Sequence, residues 1–184
     1  MIGKGALMGC YLILFIHWQA SAQKRYTTTA GRIDFASNAE LELIQASSVQ
    51  VQGLVDPATN QFAFTVDVKS FRGFNSELQR EHFNEKYMES ERFPKARFSG
   101  KIIEQVDFTI NGSYDVRAKG DLEIHGIKQT RIIKGKITVN NDQLSIEARF
   151  KVPLNDHSIA IPTIVKQKIA TEIEVAFTSS MALQ

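Results

Sequence analysis

An all-β fold in a single domain, an antiparallel sandwich or barrel, is predicted by three features of this sequence. Apolar and polar residues alternate with period two through several segments, turn-forming residues separate those segments at short intervals, and no glycine-rich or proline-rich linker divides the chain. Segments with one apolar and one wet face must bury the apolar one, and many short strands do so by stacking two sheets or closing one.

The first 22 residues stand apart from this pattern. Lys4 precedes an apolar run from Ala6 to about Trp18, and "ASA" at 20–22 supplies small residues ahead of Gln23. That is the layout of a secretory signal peptide, and the run is shorter than the roughly 20 residues a bilayer-spanning helix needs. A retained anchor is the alternative. The expected division is therefore a signal peptide, 1–22, and one exported domain, 23–184. The only cysteine, Cys10, leaves with the signal, so the exported chain is expected to have no disulfide and no thiol chemistry. With 22 basic against 20 acidic residues and no long block of one sign, there is no nucleic-acid footprint.

Strand candidates follow in order. "GRIDFAS" (31–37) and "LELIQASSVQVQG" (41–53) are short or irregular, whereas "FAFTVDV" (62–68) alternates cleanly. "ARFSGKI" (96–102) resumes the pattern after an interruption. "SYDVRAKGDLEI" (113–124) places Tyr114, Val116, Ala118, Gly120, Leu122 and Ile124 on one face and five charged residues on the other. "KGKITV" (134–139), "LSIEARFKV" (144–152) and "IATEIEVAF" (169–177) repeat the alternation. "DPATN" (56–60), "NGS" (111–113), "HG" (125–126) and "NND" (140–142) carry the turn chemistry between them.

The interruption, "SELQREHFNEKYM" from Ser76 to about Met88, suits a short helix. Leu78, His82 or Phe83, and Tyr87 or Met88 recur at spacings of three and four, and Ser76 followed by Gln79 has the form of a capping box. Pro94 biases Phe93 away from helical backbone and closes the segment. Such a helix inserted between strands covers one end of a closed barrel.

These residues also carry a resemblance. "HFNEKYMESERFPKARFSGKI", "KGDLEIHGIKQ", "VPLNDHSIAIP" and "IATEIEVAF" resemble segments of the YceI-like family of lipid- or polyisoprenoid-binding proteins. The resemblance implies an eight-stranded antiparallel lipocalin-like barrel, export to the periplasm, and an elongated apolar channel for an isoprenoid chain.

The inner faces agree with a channel. Ala118, Gly120, Gly135 and Ala148 are small, and they are interspersed with Phe62, Phe64, Tyr114 and Phe150. An eight-stranded barrel is of the size at which side chains either fill the interior or leave room for one ligand; the competing use of the small residues is to let the sheet coil or the helix dock closely. The ligand-binding residues expected are Phe62, Phe64, Val66, Tyr114, Val116, Ala118, Ala148 and Phe150 on inner faces, with Phe98 continuing the wall. Phe83, Tyr87, Met88 and Phe93 form the underside of a lid whose Glu81, Glu85, Lys86, Glu89 and Glu91 face water. The competing reading makes these aromatics core under a surface helix. A prenyl chain of about forty carbons, at about 0.3 kcal/mol per heavy atom, would bind with about 12 kcal/mol, which is about nanomolar.

Catalysis finds little support. His82, His125 and His157 show no zinc-protease spacing, no "GxSxG" elbow is present, and no phosphate-cradling or dinucleotide loop appears. No catalytic residue, metal or cofactor is expected. The partners expected are a long-chain isoprenoid or other lipid, with no nucleic acid and no permanent membrane span; a homodimer stays open. The rival function is a non-catalytic exported interaction or stress-response protein with a filled barrel, its outward Lys119, Lys134, Lys136 and Arg149 contributing to a basic face.

Overall fold

The computed structural model describes residues 24–184, so the signal peptide expected at 1–22 lies outside the described residues. Eight strands run in chain order and close into one antiparallel barrel, each paired with its sequence neighbours and the first with the last. They are β1 (Tyr26–Asn38), β2 (Leu43–Asp56), β3 (Gln61–Asp67), β4 (Lys95–Ile102), β5 (Gly112–Ile124), β6 (Ile127–Asn140), β7 (Gln143–Pro153) and β8 (Glu172–Leu183). Closure joins Tyr26 to Leu183 and Ala36 to Glu174 across β1 and β8, which removes the exposed edges an open sheet would carry.

Alternation and turn chemistry explain the most regular part. On β5, Val116, Gly120 and Leu122 are buried while the charged residues between them are exposed. β5 and β6 pair from Gly112 with Val139 to Ile124 with Ile127, and the hairpin closes through His125 and Gly126, both at positive φ (51° and 73°). Two successive left-handed residues match the twist of the flanking strands. Lys119, Lys134, Lys136 and Arg149 point outward, as the alternation requires.

The two ends of the barrel differ. One end is plugged by the 103–111 connection, whose Val106 and Phe108 join Tyr26, Val55, Phe62, Ile137, Leu144 and Met181 in a packed cluster. Tyr26 donates its hydroxyl to the Phe108 carbonyl (3.4 Å), and Tyr114 donates to that of Asp107 (3.2 Å). Glu104 fastens the same connection to β5 by accepting from the Arg117 backbone N–H (2.5 Å) and Nε (2.6 Å). Each aliphatic side chain withdrawn from water here contributes about 1.5–3 kcal/mol, so this half is a stabilising core.

The opposite end is covered by the segment between β3 and β4. Helix α1 (Glu77–His82) starts at Ser76, whose Oγ accepts from the Gln79 N–H (3.2 Å). The Gln79 side-chain Oε1 accepts from the Asn75 N–H (3.0 Å), one residue earlier than the predicted capping box would place it. The helix continues as a π-helical turn, Phe83–Tyr87, ended by the Met88 N–H donating to the Phe83 carbonyl (2.9 Å). The wider turn keeps Phe83, Tyr87 and Met88 together on the barrel side.

Candidate functional site

Between plug and helix the barrel holds an apolar cavity in two connected parts. The inner chamber, about 150 Å³, lies within the strands; the outer, about 420 Å³, lies under α1, the π-helical turn and the turns at Leu154–His157 and Thr163–Val165. Ile33, Val66, Ala96, Ile124, Val152 and Val175 border both, forming a neck from five strands and the end of β5. The walls are almost wholly hydrocarbon; polar side chains gather at the outer chamber, where Glu42, Ser76, Gln79, His82 and Lys168 take part.

Four phenylalanines build the mouth. Phe83 stacks on Phe35 (5.4 Å between ring centres, 19° between planes) and also meets Phe74 (5.1 Å) and Phe71 (5.9 Å). Phe71 and Phe74 reach this position because residues 71–73 run beside β2: the Ser47 and Arg72 backbones exchange two hydrogen bonds of 2.8 Å, and Phe71 turns inward. The rim outside these four rings is also apolar. Ile164 is 92% exposed, Leu41 63% and Leu78 59%, on segments laced together by the Leu41 N–H donating to the Gln167 carbonyl (2.8 Å) and Gln79 Nε2 donating to Glu42 (2.9 Å).

Deeper in, Phe64 lies flat over Gly53, its partner on β2. A Cβ at residue 53 would fall 2.1 Å from the Phe64 ring, so only glycine admits this position. The ring then meets Phe177 of β8 edge-on at 5.0 Å, although β3 and β8 are separated by β2 and β1.

Of the thirteen residues expected at the site, the structure brings eleven onto the cavity wall. Phe62, Phe64, Phe98, Val116, Ala118, Ala148 and Phe150 border the inner chamber, Phe83, Tyr87 and Met88 the outer, and Val66 both. Two lie elsewhere. Tyr114 packs against the plugged end, where its hydroxyl finds the Asp107 carbonyl. Phe93 turns away from the mouth to pack edge-on against the His125 ring (4.8 Å), with Arg92 over its other side. Gly120 does not open space either, since it pairs with Gly100 where the β4 and β5 backbones pinch together, and a Cβ at residue 120 would meet the Ser99 carbonyl at 2.2 Å. Gly135 does border the inner chamber. Phe35, Phe71, Phe74 and Phe177 were missed. Phe35 and Phe177 sit in alternating strings that signal an inward face; Phe71 and Phe74 sit in "SFRGFNS", which carries no such period.

The lid is clasped to the barrel beside Phe93. His125 lies between two oxygen acceptors, the Glu89 carboxylate 2.9 Å from Nε2 and the His157 carbonyl 3.1 Å from Nδ1. Glu89 is therefore not a purely solvent-facing residue as expected, and it holds φ = 42°, an uncommon conformation for a side chain of its kind. His157 is fully buried, and its Nδ1–H donates to the Ile127 carbonyl (3.1 Å). Burial pushes its imidazole below the ordinary histidine value, outweighing the carbonyl groups that favour the charged ring. Burial likewise raises the Tyr87 phenol. Among the described residues, no helix is long and apolar enough to cross a membrane, and no group of three or more potential ligands is placed to hold a metal ion.

No curated protein matches the chain in sequence. Among solved structures, a polyisoprenoid binding domain from Saccharophagus degradans, implicated in plant cell wall breakdown, is similar at TM-score 0.74 and 13% identity, covering 89% of this chain and 100% of its own. Burkholderia cenocepacia BcnA is similar at TM-score 0.68 and 14% identity over 83% of this chain and 96% of its own. The Campylobacter jejuni YceI protein gives 0.55 and 14% over 100% and 99%. These likenesses show a shared barrel fold, and the YceI-like domain matches residues 17–181, so the chain belongs to the YceI-like family.

Proposed function

We propose that this protein is a non-enzymatic lipid carrier that binds a hydrocarbon-tailed molecule, an isoprenoid in the first place, with the tail inside the barrel and any polar head at the mouth. The observation that carries this reading is the continuous apolar cavity running from the four-phenylalanine mouth through the neck into the strands. Two chambers of about 150 and 420 Å³ together lie within the range of about 300–1,000 Å³ usual for small-molecule sites. Walls of this composition favour partition of hydrocarbon and offer little to stabilise a developing charge. His82 and Lys168 at the outer chamber suit a polar head group. The polyisoprenoid binding domain of Saccharophagus degradans shares the fold and supports the same class of cargo. The apolar stretch and "ASA" of residues 1–22 support action in the periplasm or after secretion.

Native mass spectrometry of the exported protein, purified without detergent, tests the reading, followed by denaturing extraction of whatever is released. A species of discrete mass with a hydrocarbon tail is the expected result. A mass equal to the bare chain, from a host rich in isoprenoids and with export intact, refutes the carrier reading in favour of a protein that acts through its surface.

A further inference from the structure

We infer that Phe64 and Phe177 form a crossbar that narrows the channel inside the barrel and limits the cargo to a tail of middle length. The inference rests on the carrier reading above and names its size selectivity. Phe64 stands on β3 and Phe177 on β8, with β2 and β1 between them, so rings that meet at 5.0 Å close off the β1 and β2 side of the lumen. Phe64 is fixed from below by Gly53, and it packs against both the plug cluster and the mouth cluster. Phe98, the partner of Phe64 on β4, meets Phe62 at 4.9 Å, and Phe62 belongs to the plug cluster. The inner chamber continues past these rings to Phe62, Ile102 and Ile137 of the plug, so the crossbar takes up lumen that a tail would otherwise occupy.

The volumes set the scale. A dry hydrocarbon-lined cavity of about 150 Å³ holds one benzene, about six carbons, and the inner chamber has that volume. By the same proportion, the inner and outer chambers together hold a tail of about twenty carbons rather than a chain of about forty. A longer tail would leave its far part in water at the mouth, where each CH₂ left out gains none of the about 0.8 kcal/mol that burial contributes. The selectivity is for length, and it resides in two side chains.

The test uses delipidated protein and a series of prenyl alcohols, geraniol, farnesol, geranylgeraniol and solanesol, titrated one at a time and followed by native mass spectrometry. Wild type is expected to hold solanesol within about tenfold of geranylgeraniol, about 1.4 kcal/mol, although solanesol is far longer. Phe64→Ala enlarges the lumen beside Phe62 and is expected to raise the ratio of solanesol to geranylgeraniol affinity by about tenfold. Phe64→Leu and Phe177→Leu, milder changes that keep the wall apolar, are expected to shift it in the same direction and serve if the alanine variant does not fold. Phe83→Leu, at the mouth, is expected to weaken all four alcohols alike. Wild type holding solanesol more than about tenfold more tightly than geranylgeraniol overturns the crossbar, as do folded Phe64 and Phe177 variants that keep the wild-type ratio. If wild type binds none of the alcohols and releases no lipid when taken from cells, the carrier reading falls and the crossbar with it.

Discussion

Phe83→Ala and Tyr87→Ala separate a lid from a core, because the two residues border the same chamber with different neighbours. Phe83 meets three other rings at 5.1–5.9 Å, whereas Tyr87 makes no ring contact of that kind among the described residues. Truncating a buried phenylalanine costs about 3–5 kcal/mol, and Phe83 is half-buried, which places it near the low end. At about 2–4 °C per kcal/mol for a chain of this size, Phe83→Ala is expected to lower Tm by about 6–12 °C. Tyr87→Ala, losing part of one phenol's burial, costs about 1 kcal/mol and about 2–4 °C. Both remove wall from the outer chamber, so both lose cargo. The assay is thermal unfolding of delipidated protein, since bound ligand raises Tm by mass action, set beside cargo retention by native mass spectrometry. A Tyr87→Ala protein that keeps wild-type cargo while losing as much Tm as Phe83→Ala refutes the lid and makes this segment core.

Two further predictions concern the clasp. His157 has a folded-state pKa below the unfolded value near 6.5, so as pH falls through 6.5 the unfolded chain takes up a proton that the folded one refuses, and stability is lost at up to about 1.4 kcal/mol per pH unit until the folded pKa is reached. His157→Gln is expected to flatten the fall in Tm between pH 7 and pH 5 relative to wild type; identical profiles rule His157 out as its source. Glu89→Ala removes the carboxylate beside His125 and is expected to speed amide exchange through residues 83–93 with a small change in Tm, while Glu89→Gln, which keeps a carbonyl acceptor, stays close to wild type. Equal exchange in the two variants would show that the carboxylate does not hold the segment.

Regular strands were legible wherever inward positions are apolar, and obscured wherever they are not. β5 and β7 lie within a residue or two of the segments read from alternation. β6 starts at Ile127, well before the predicted Lys134, because its inward Gln129 and Arg131 are polar. They are satisfied by Asp156 of a turn distant in sequence, Gln129 donating to its carbonyl (2.8 Å) and Arg131 to its carboxylate (3.0 Å). β1 and β2 run longer than predicted for related reasons. Register shifts around Gly31 break the period of β1, and buried Ser48 interrupts the apolar face of β2 while bonding Ser70 Oγ at 2.6 Å. β8 begins at Glu172 and continues to Leu183 through the small polar residues Thr178, Ser179 and Ser180.

The site was less legible than the fold for a geometric reason. Alternation reports which side of a strand a residue faces, but not its height along the barrel or what meets it from the opposite wall. Tyr114 and Val116 belong to one inward face, yet Val116 borders the chamber and Tyr114 packs into the plug. Phe93 lies one residue before Pro94 in the aromatic segment that covers the mouth, and the turn through Glu89 carries it onto His125 instead. Phe64 and Phe177 lie more than a hundred residues apart in the chain, and their contact follows only from closing eight strands. Closure decides which rings share the lumen, and hence how much of its width they fill. With Gly53 held to glycine beneath Phe64, the crossbar inferred above leaves Phe64 and Phe177 as the positions at which tail length would be tuned within one barrel topology, without altering a single strand.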